Sequence, residues 1–317
     1  MELSNNMSLS PILAALVPVT ALIVLGLGLR RTPLFSGEDF WTGAERLAYY
    51  CLLPVLLFTS VAEVDVTAVP VLRLAVALVV PTLIVSLFII VLRRVVAADL
   101  PAFTSVLQGG IRFNTYIGLS ISASLLGPTG GALAAIVAAI LVPTVNIVSS
   151  LGFEFLRTGR RSVLDIVRVI VLNPLVIGCA LGGLWNLTGW ALPELVSGVL
   201  DPLAAAALPI GLICVGAGLR WFSLREHGAG LVWSTAVKLV VLPGLSLAAL
   251  VVLDVPAEAA VVGLIFQAIA TASSGYVMAR QLGGNAELMA ALIAAQTVLM
   301  LATLPPTLLL AQLVFGL

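Results

Sequence analysis

Apolar runs of about twenty residues follow one another along nearly the whole chain, as in "SPILAALVPVTALIVLGLGL" (10–29) and "VPVLRLAVALVVPTLIVSLFIIVL" (69–92). An α-helix needs about that length to cross a hydrocarbon layer roughly 30 Å thick. Lipid offers the backbone no hydrogen bonds, so spanning segments are helices or closed barrels. The short alternating segments of a barrel are missing from the sequence. Only 9% of residues are charged, against about 25% in an ordinary soluble domain. The chain is therefore expected to be an all-α protein of the lipid bilayer. Its first apolar run has no basic leader and no small-residue cleavage motif, so it is expected to be a retained helix.

Ten spans are predicted: 10–29, 46–63, 69–92, 100–126, 130–153, 173–188, 198–219, 230–252, 256–282 and 286–314. The connector at 154–172 reads as a surface helix, with Arg161, Asp165 and Arg168 at i, i+4, i+7. Asn173 and Pro174 then cap and open the next span. Loops after odd-numbered spans hold twelve of the fifteen Lys and Arg, from Arg30 to Arg280. The other loops and both termini are mainly acidic, which places both termini on the outer face of a plasma (inner) membrane. Trp41, Trp185, Trp190, Trp221 and Trp233 fall near span ends, as an interfacial belt requires.

The halves match each other. "LLGPTGGALAAIVAAI" (125–140) aligns without a gap on "QLGGNAELMAALIAAQ" (281–296), and Pro54 falls opposite Pro209. The repeat unit is five spans, 1–156 and 157–317, and an odd number forces the two copies into opposite orientations. Inverted repeats of this kind mark secondary transporters, whose sites form where interrupted helices meet near mid-membrane.

Spans four and nine are the expected interruptions. Gly109, Gly110 and Gly118 weaken the first around "RFNT", and Gly275 follows "TASS" in the second. Asn114 and Thr115, with Thr271, Ser273 and Ser274, would line the site; Gln108, Gln267, Gln296, Pro54 and Pro209 are secondary candidates. Arg112 lies about 18 Å into its span at 1.5 Å per residue. A charge there costs about 2.5–3.5 kcal/mol unless it meets protein or water. It either attracts a carboxylate or caps the broken helix. Lys238 either snorkels to the interface or points inward as a second cation. None of the fifteen acids sits at the centre of a span, whereas carboxylate-based ion exchange needs one there. Two buried cations without a buried acid point to an anionic cargo.

Cys51, Cys179 and Cys214 lie in apolar runs without CxxC spacing and are read as packing residues. His227 sits in a charged loop and is read as solvated. No metal, cofactor or nucleic-acid partner is expected.

Six segments resemble the auxin efflux carrier family and its bacterial carboxylate permeases: "ERLAYYCLLPVLLFTSVAEVD" (45–65), "GGIRFNTYIGLSISASLLG" (109–127), "VLNPLVIG" (171–178), "LPIGLICVGAGL" (208–219), "AVKLVVLPGL" (236–245) and "ARQLGGNAELMAALIAAQT" (279–297). The resemblance implies two inverted five-helix repeats with helices four and nine crossed and broken. It also implies that spans 3–5 and 8–10 move against a scaffold of spans 1, 2, 6 and 7. Asn114 matches the family's crossover asparagine, whereas "ATASS" replaces the second asparagine of the plant members. The leading expectation is an elevator-type carrier of a small organic anion, with H⁺ or Na⁺ coupling and a homodimer both left open. A sodium-coupled symporter of bile-acid type and a non-transporting ligand receptor are the alternatives. An enzyme is not expected, since no HExxH, paired aspartates or Ser/His pairing occurs in the spans.

Overall fold

The structure, a computed structural model, describes residues 9–62, 70–97, 99–154, 171–219, 228–272 and 274–316. The predicted surface helix at 154–172, His227, Trp221, Ser273 and six of the loop arginines lie outside or largely outside those residues. Among the described residues 88% are helical and none lies in a strand.

The helices are α1 (Leu9–Arg30), α2 (Glu38–Ala62), α3 (Val71–Val91), α4 (Leu100–Ile111), α5 (Thr115–Glu154), α6 (Pro174–Asn186), α7 (Glu194–Gly218), α8 (Gly228–Val252), α9 (Ala257–Ala268), α10 (Ser274–Leu282) and α11 (Ala286–Phe315). Among the described residues, seven helical stretches are long and apolar enough to cross a membrane. This count differs from ten at three places. Residues 100–153 form one 54-residue stretch, α6 has only 13 residues, and 257–282 is split into two short helices. α5 alone has 40 residues, about 60 Å of helix, and it kinks at Gly127, whose φ is +59°. Its aligned counterpart Gly283 has φ +83° and breaks the chain between α10 and α11. Both glycines hold a left-handed conformation that a side chain would strain.

Local chemistry explains the starts. The Asn173 carboxamide oxygen accepts from the Leu175 and Val176 N–H groups at 2.9 and 3.4 Å, the cap read from the sequence. Asp99 caps α4 through Ala102 N–H at 2.7 Å, and Asn285 caps α11 through Leu288 N–H at 2.9 Å. α2 and α8 each contain a π-helical turn, at Ala48–Leu52 and Val237–Val241. Such turns widen the helix by one residue and often occur at functional places.

α1 packs on α7 and α2 on α6, while α3 packs on α8, α4 on α8 and α11, and α9 on α5 and α11. At the α1–α7 crossing, a Cβ on Gly216 would collide with the backbone carbonyl of Ile23, and one on Gly26 with that of Ile213. Small residues here let the two backbones touch, the common means of helix association in lipid. Gly216→Ala is therefore expected to lower the melting temperature, with a cost of about 1–3 kcal/mol from overpacking. Thermal unfolding in detergent checks it; an unchanged midpoint would mean that the helices separate without cost.

Candidate functional site

The two interruptions are built alike. α4 ends at Ile111 and α5 begins at Thr115; α9 ends at Ala268 and α10 begins at Ser274. The residue that ends each first half, Arg112 or Ile269, turns extended, with ψ near 160° in both (159° and 161°). The breaks touch, since Asn114 N–H donates to the Ala270 carbonyl at 2.9 Å. Gly109, Gly110, Gly118 and Gly275, expected to interrupt the helices, instead lie inside them. They serve close packing: a Cβ would meet Ser234 at Gly109, Ile89 at Gly110, the Phe266 ring at Gly118 and Met289 at Gly275. Helix ends leave backbone groups without intrahelical partners, and side chains supply those partners here.

Asn114 caps α5. Its Oδ1 accepts from Tyr116 N–H at 3.1 Å and Ile117 N–H at 3.3 Å, leaving its Nδ2 with no acceptor among the described residues. Gln296, on α11, joins both breaks. Its Oε1 accepts from Thr271 N–H at 3.0 Å and its Nε2 donates to the Gly109 carbonyl at 3.0 Å. Among the described residues, the Thr271 hydroxyl is buried without a partner, as are both polar atoms of Gln108. Gln267 donates to the Leu78 carbonyl and to Thr82 Oγ1, at 2.9 and 3.1 Å.

Arg112 is 8% exposed. One terminal nitrogen donates to Asn146 Oδ1 at 3.1 Å and to Ser274 Oγ at 3.3 Å; the other meets Met278 Sδ at 3.3 Å. Its Nε is buried with no partner among the described residues. All three partners are neutral. Ser274 is the first residue of α10, and Met278 lies one turn on. The guanidinium therefore lies along the first turn of a half-helix, beside the positive end of its dipole. Two positive poles side by side in a buried place attract an anion.

Thr115, half-buried, opens α5. Lys238 makes no hydrogen bond to Asn114: fully buried, it donates to the Phe266 carbonyl of α9 at 3.3 Å. Pro209 is exposed on α7, and Pro54 turns its carbonyl to Gly178 of α6, so neither joins the breaks. Sequence reasoning missed Asn146 and Met278. Asn146 could have been found as the one asparagine in the apolar run 130–153, whereas a methionine in α10 carries no such signal.

A cavity of about 440 Å³ opens between α1, α2 and α7 on one side and α10 and α11 on the other, with Arg30, Glu45, Arg46, Cys214, Tyr276 and Arg280 in its wall. Tyr276 and Arg280 follow Ser274 on α10, with the guanidinium 5.9 Å from the ring centre. Tyr116, two residues past Asn114, presses its ring on Gly211 of α7, one turn before the cavity-lining Cys214.

A family model described as a membrane transport protein matches residues 11–308. No curated protein matches the chain.

Proposed function

We propose that this chain, which belongs to the membrane transport protein family of the auxin efflux carrier type, carries a small organic anion bound where its two helix breaks meet. The family is one of membrane transport rather than of enzymes, and the chain is a multi-pass membrane transporter. The observation that carries the anion reading is Arg112: a buried guanidinium whose partners among the described residues are all neutral, set against the N-terminal turn of α10. An arginine stays protonated, so its charge has to be met. A carboxylate can take the free Arg112 Nε–H and the Asn114 amide N–H groups, and its charge suits both half-helix starts.

In this reading the ten spans form two inverted five-helix repeats, and the breaks are the crossing of helices four and nine. The matched left-handed glycines 127 and 283 support the repeat. The packing of α1 on α7 and α2 on α6 supports a scaffold of spans 1, 2, 6 and 7, against which the remaining helices slide in an elevator motion. The cavity lies between those two groups, and its three arginines fall on the basic side, which the charge bias makes cytoplasmic.

The test is counterflow of small mono- and dicarboxylates in proteoliposomes, with amines and sugars as controls. Carboxylates alone are expected to exchange; exchange of cations or neutral sugars instead would overturn the anion reading. Asn114→Asp separates site from scaffold. Aspartate caps a helix as well as asparagine does, so the melting temperature should hold or rise. Its charge repels a carboxylate, so counterflow should be lost. Retained exchange in this variant would remove Asn114 from the site.

A further inference from the structure

Lys238 is fully buried in the π-helical turn of α8, and its hydrogen bond is to a carbonyl rather than a carboxylate. The backbone around that carbonyl explains why a donor is needed. Phe266 lies in the last turn of α9, where an uninterrupted helix would supply the N–H of Ala270. Ala270 N–H instead points to Met300 Sδ at 3.4 Å, because the chain has already turned extended at Ile269. The lysine ammonium takes the place of the missing N–H.

α4 shows that a neutral group suffices for this task. α4 and α9 both have twelve residues, and Gly109 and Phe266 hold the same place in them. The Gly109 carbonyl receives the uncharged amide of Gln296; the Phe266 carbonyl receives the amino group of a lysine. The end of α9 also carries the buried Oε1 of Gln267, a second neutral acceptor with no partner among the described residues, while the amide nitrogen of that side chain is held by α3. Carbonyl groups at the negative end of a half-helix are the ligands with which ion-coupled carriers hold Na⁺.

We propose that Lys238 is a tethered cation, standing at the carbonyl end of α9 where such carriers place an alkali ion, and that removing it creates a site for Na⁺ or Li⁺. The proposal rests on the carrier reading for its meaning but not for its test. Lys238 is then a positioning residue, and the wild-type protein needs no sodium to keep the break assembled.

The experiment is thermal unfolding of the purified full chain in chloride salts of Na⁺, Li⁺, K⁺ and choline at equal ionic strength. The wild type should melt at one temperature in all four. Lys238→Gln should melt lower in choline and show a saturable rise with Na⁺ or Li⁺, on the order of 2–4 °C. Lys238→Arg, which keeps the charge, should remain indifferent to the salt. A sodium-dependent midpoint in the wild type, a Lys238→Gln midpoint that no cation moves, or failure of that variant to fold even in sodium would each overturn the proposal. None of these readouts uses flux, so a chain that moves no carboxylate would fail the carrier reading while leaving this result legible.

Discussion

Arg112→Gln should weaken carboxylate binding by about 10- to 100-fold, the worth of a charge-assisted hydrogen bond at roughly 1.5–3 kcal/mol, while leaving the protein at least as stable. The two halves of that expectation come from one geometry. The guanidinium is buried against Asn146, Ser274 and Met278, none of which loses a counter-charge when it is removed. Burying a charge among neutral groups is costly, so deleting it relieves the apo protein. Were Arg112 only a cap for the broken helix, the opposite pattern would follow: a lower midpoint with binding intact. Arg112→Lys keeps the charge but not the planar fork, and binding should fall between the two. Titration calorimetry with the best carboxylate from the counterflow panel, paired with thermal unfolding, reads both quantities on each variant.

Gln296→Leu should produce the largest loss of stability. One amide satisfies the Thr271 N–H in the second break and the Gly109 carbonyl in the first half of the other. Leucine leaves both backbone groups buried and unpaired, at about 1–3 kcal/mol each, so about 2–6 kcal/mol in all. Against a total stability of about 5–15 kcal/mol, that is a large fraction. Carrier function should fail with it, because the two breaks lose the side chain that ties them together. Fluorescence-detected size-exclusion chromatography after heating measures the effect; a midpoint within one degree or so of wild type would show that water or another side chain satisfies the pair.

The sequence revealed depth well and direction poorly. The cap at Asn173 and the helix interruptions near 112–114 and 269–272 were legible because each depends on residues close together in the chain, whereas the span lengths around them were not. The aligned segments even picked out the paired glycines 127 and 283, although their left-handed backbone was not foreseen. Gly109, Gly110, Gly118 and Gly275 were misread, because a glycine that weakens a helix and one that admits a neighbour have the same composition signal. Gly109 makes room for Ser234, 125 positions away. Lys238 could be placed in the membrane but not aimed, since its partner Phe266 belongs to a helix met only in three dimensions. Gln296 ranked low for the same reason: it lies far along the chain from Gly109, with nothing local to mark it.

The central claim is that the meeting point of the two breaks holds an anion. A cryo-EM map of the protein saturated with its best-binding carboxylate tests it most directly. Density is predicted within hydrogen-bonding distance of the Arg112 guanidinium and the Asn114 amide, between the starts of α5 and α10. Carboxylate density confined to the cavity walled by Arg30, Arg46 and Arg280, with Arg112 still held only by Asn146, Ser274 and Met278, would contradict it.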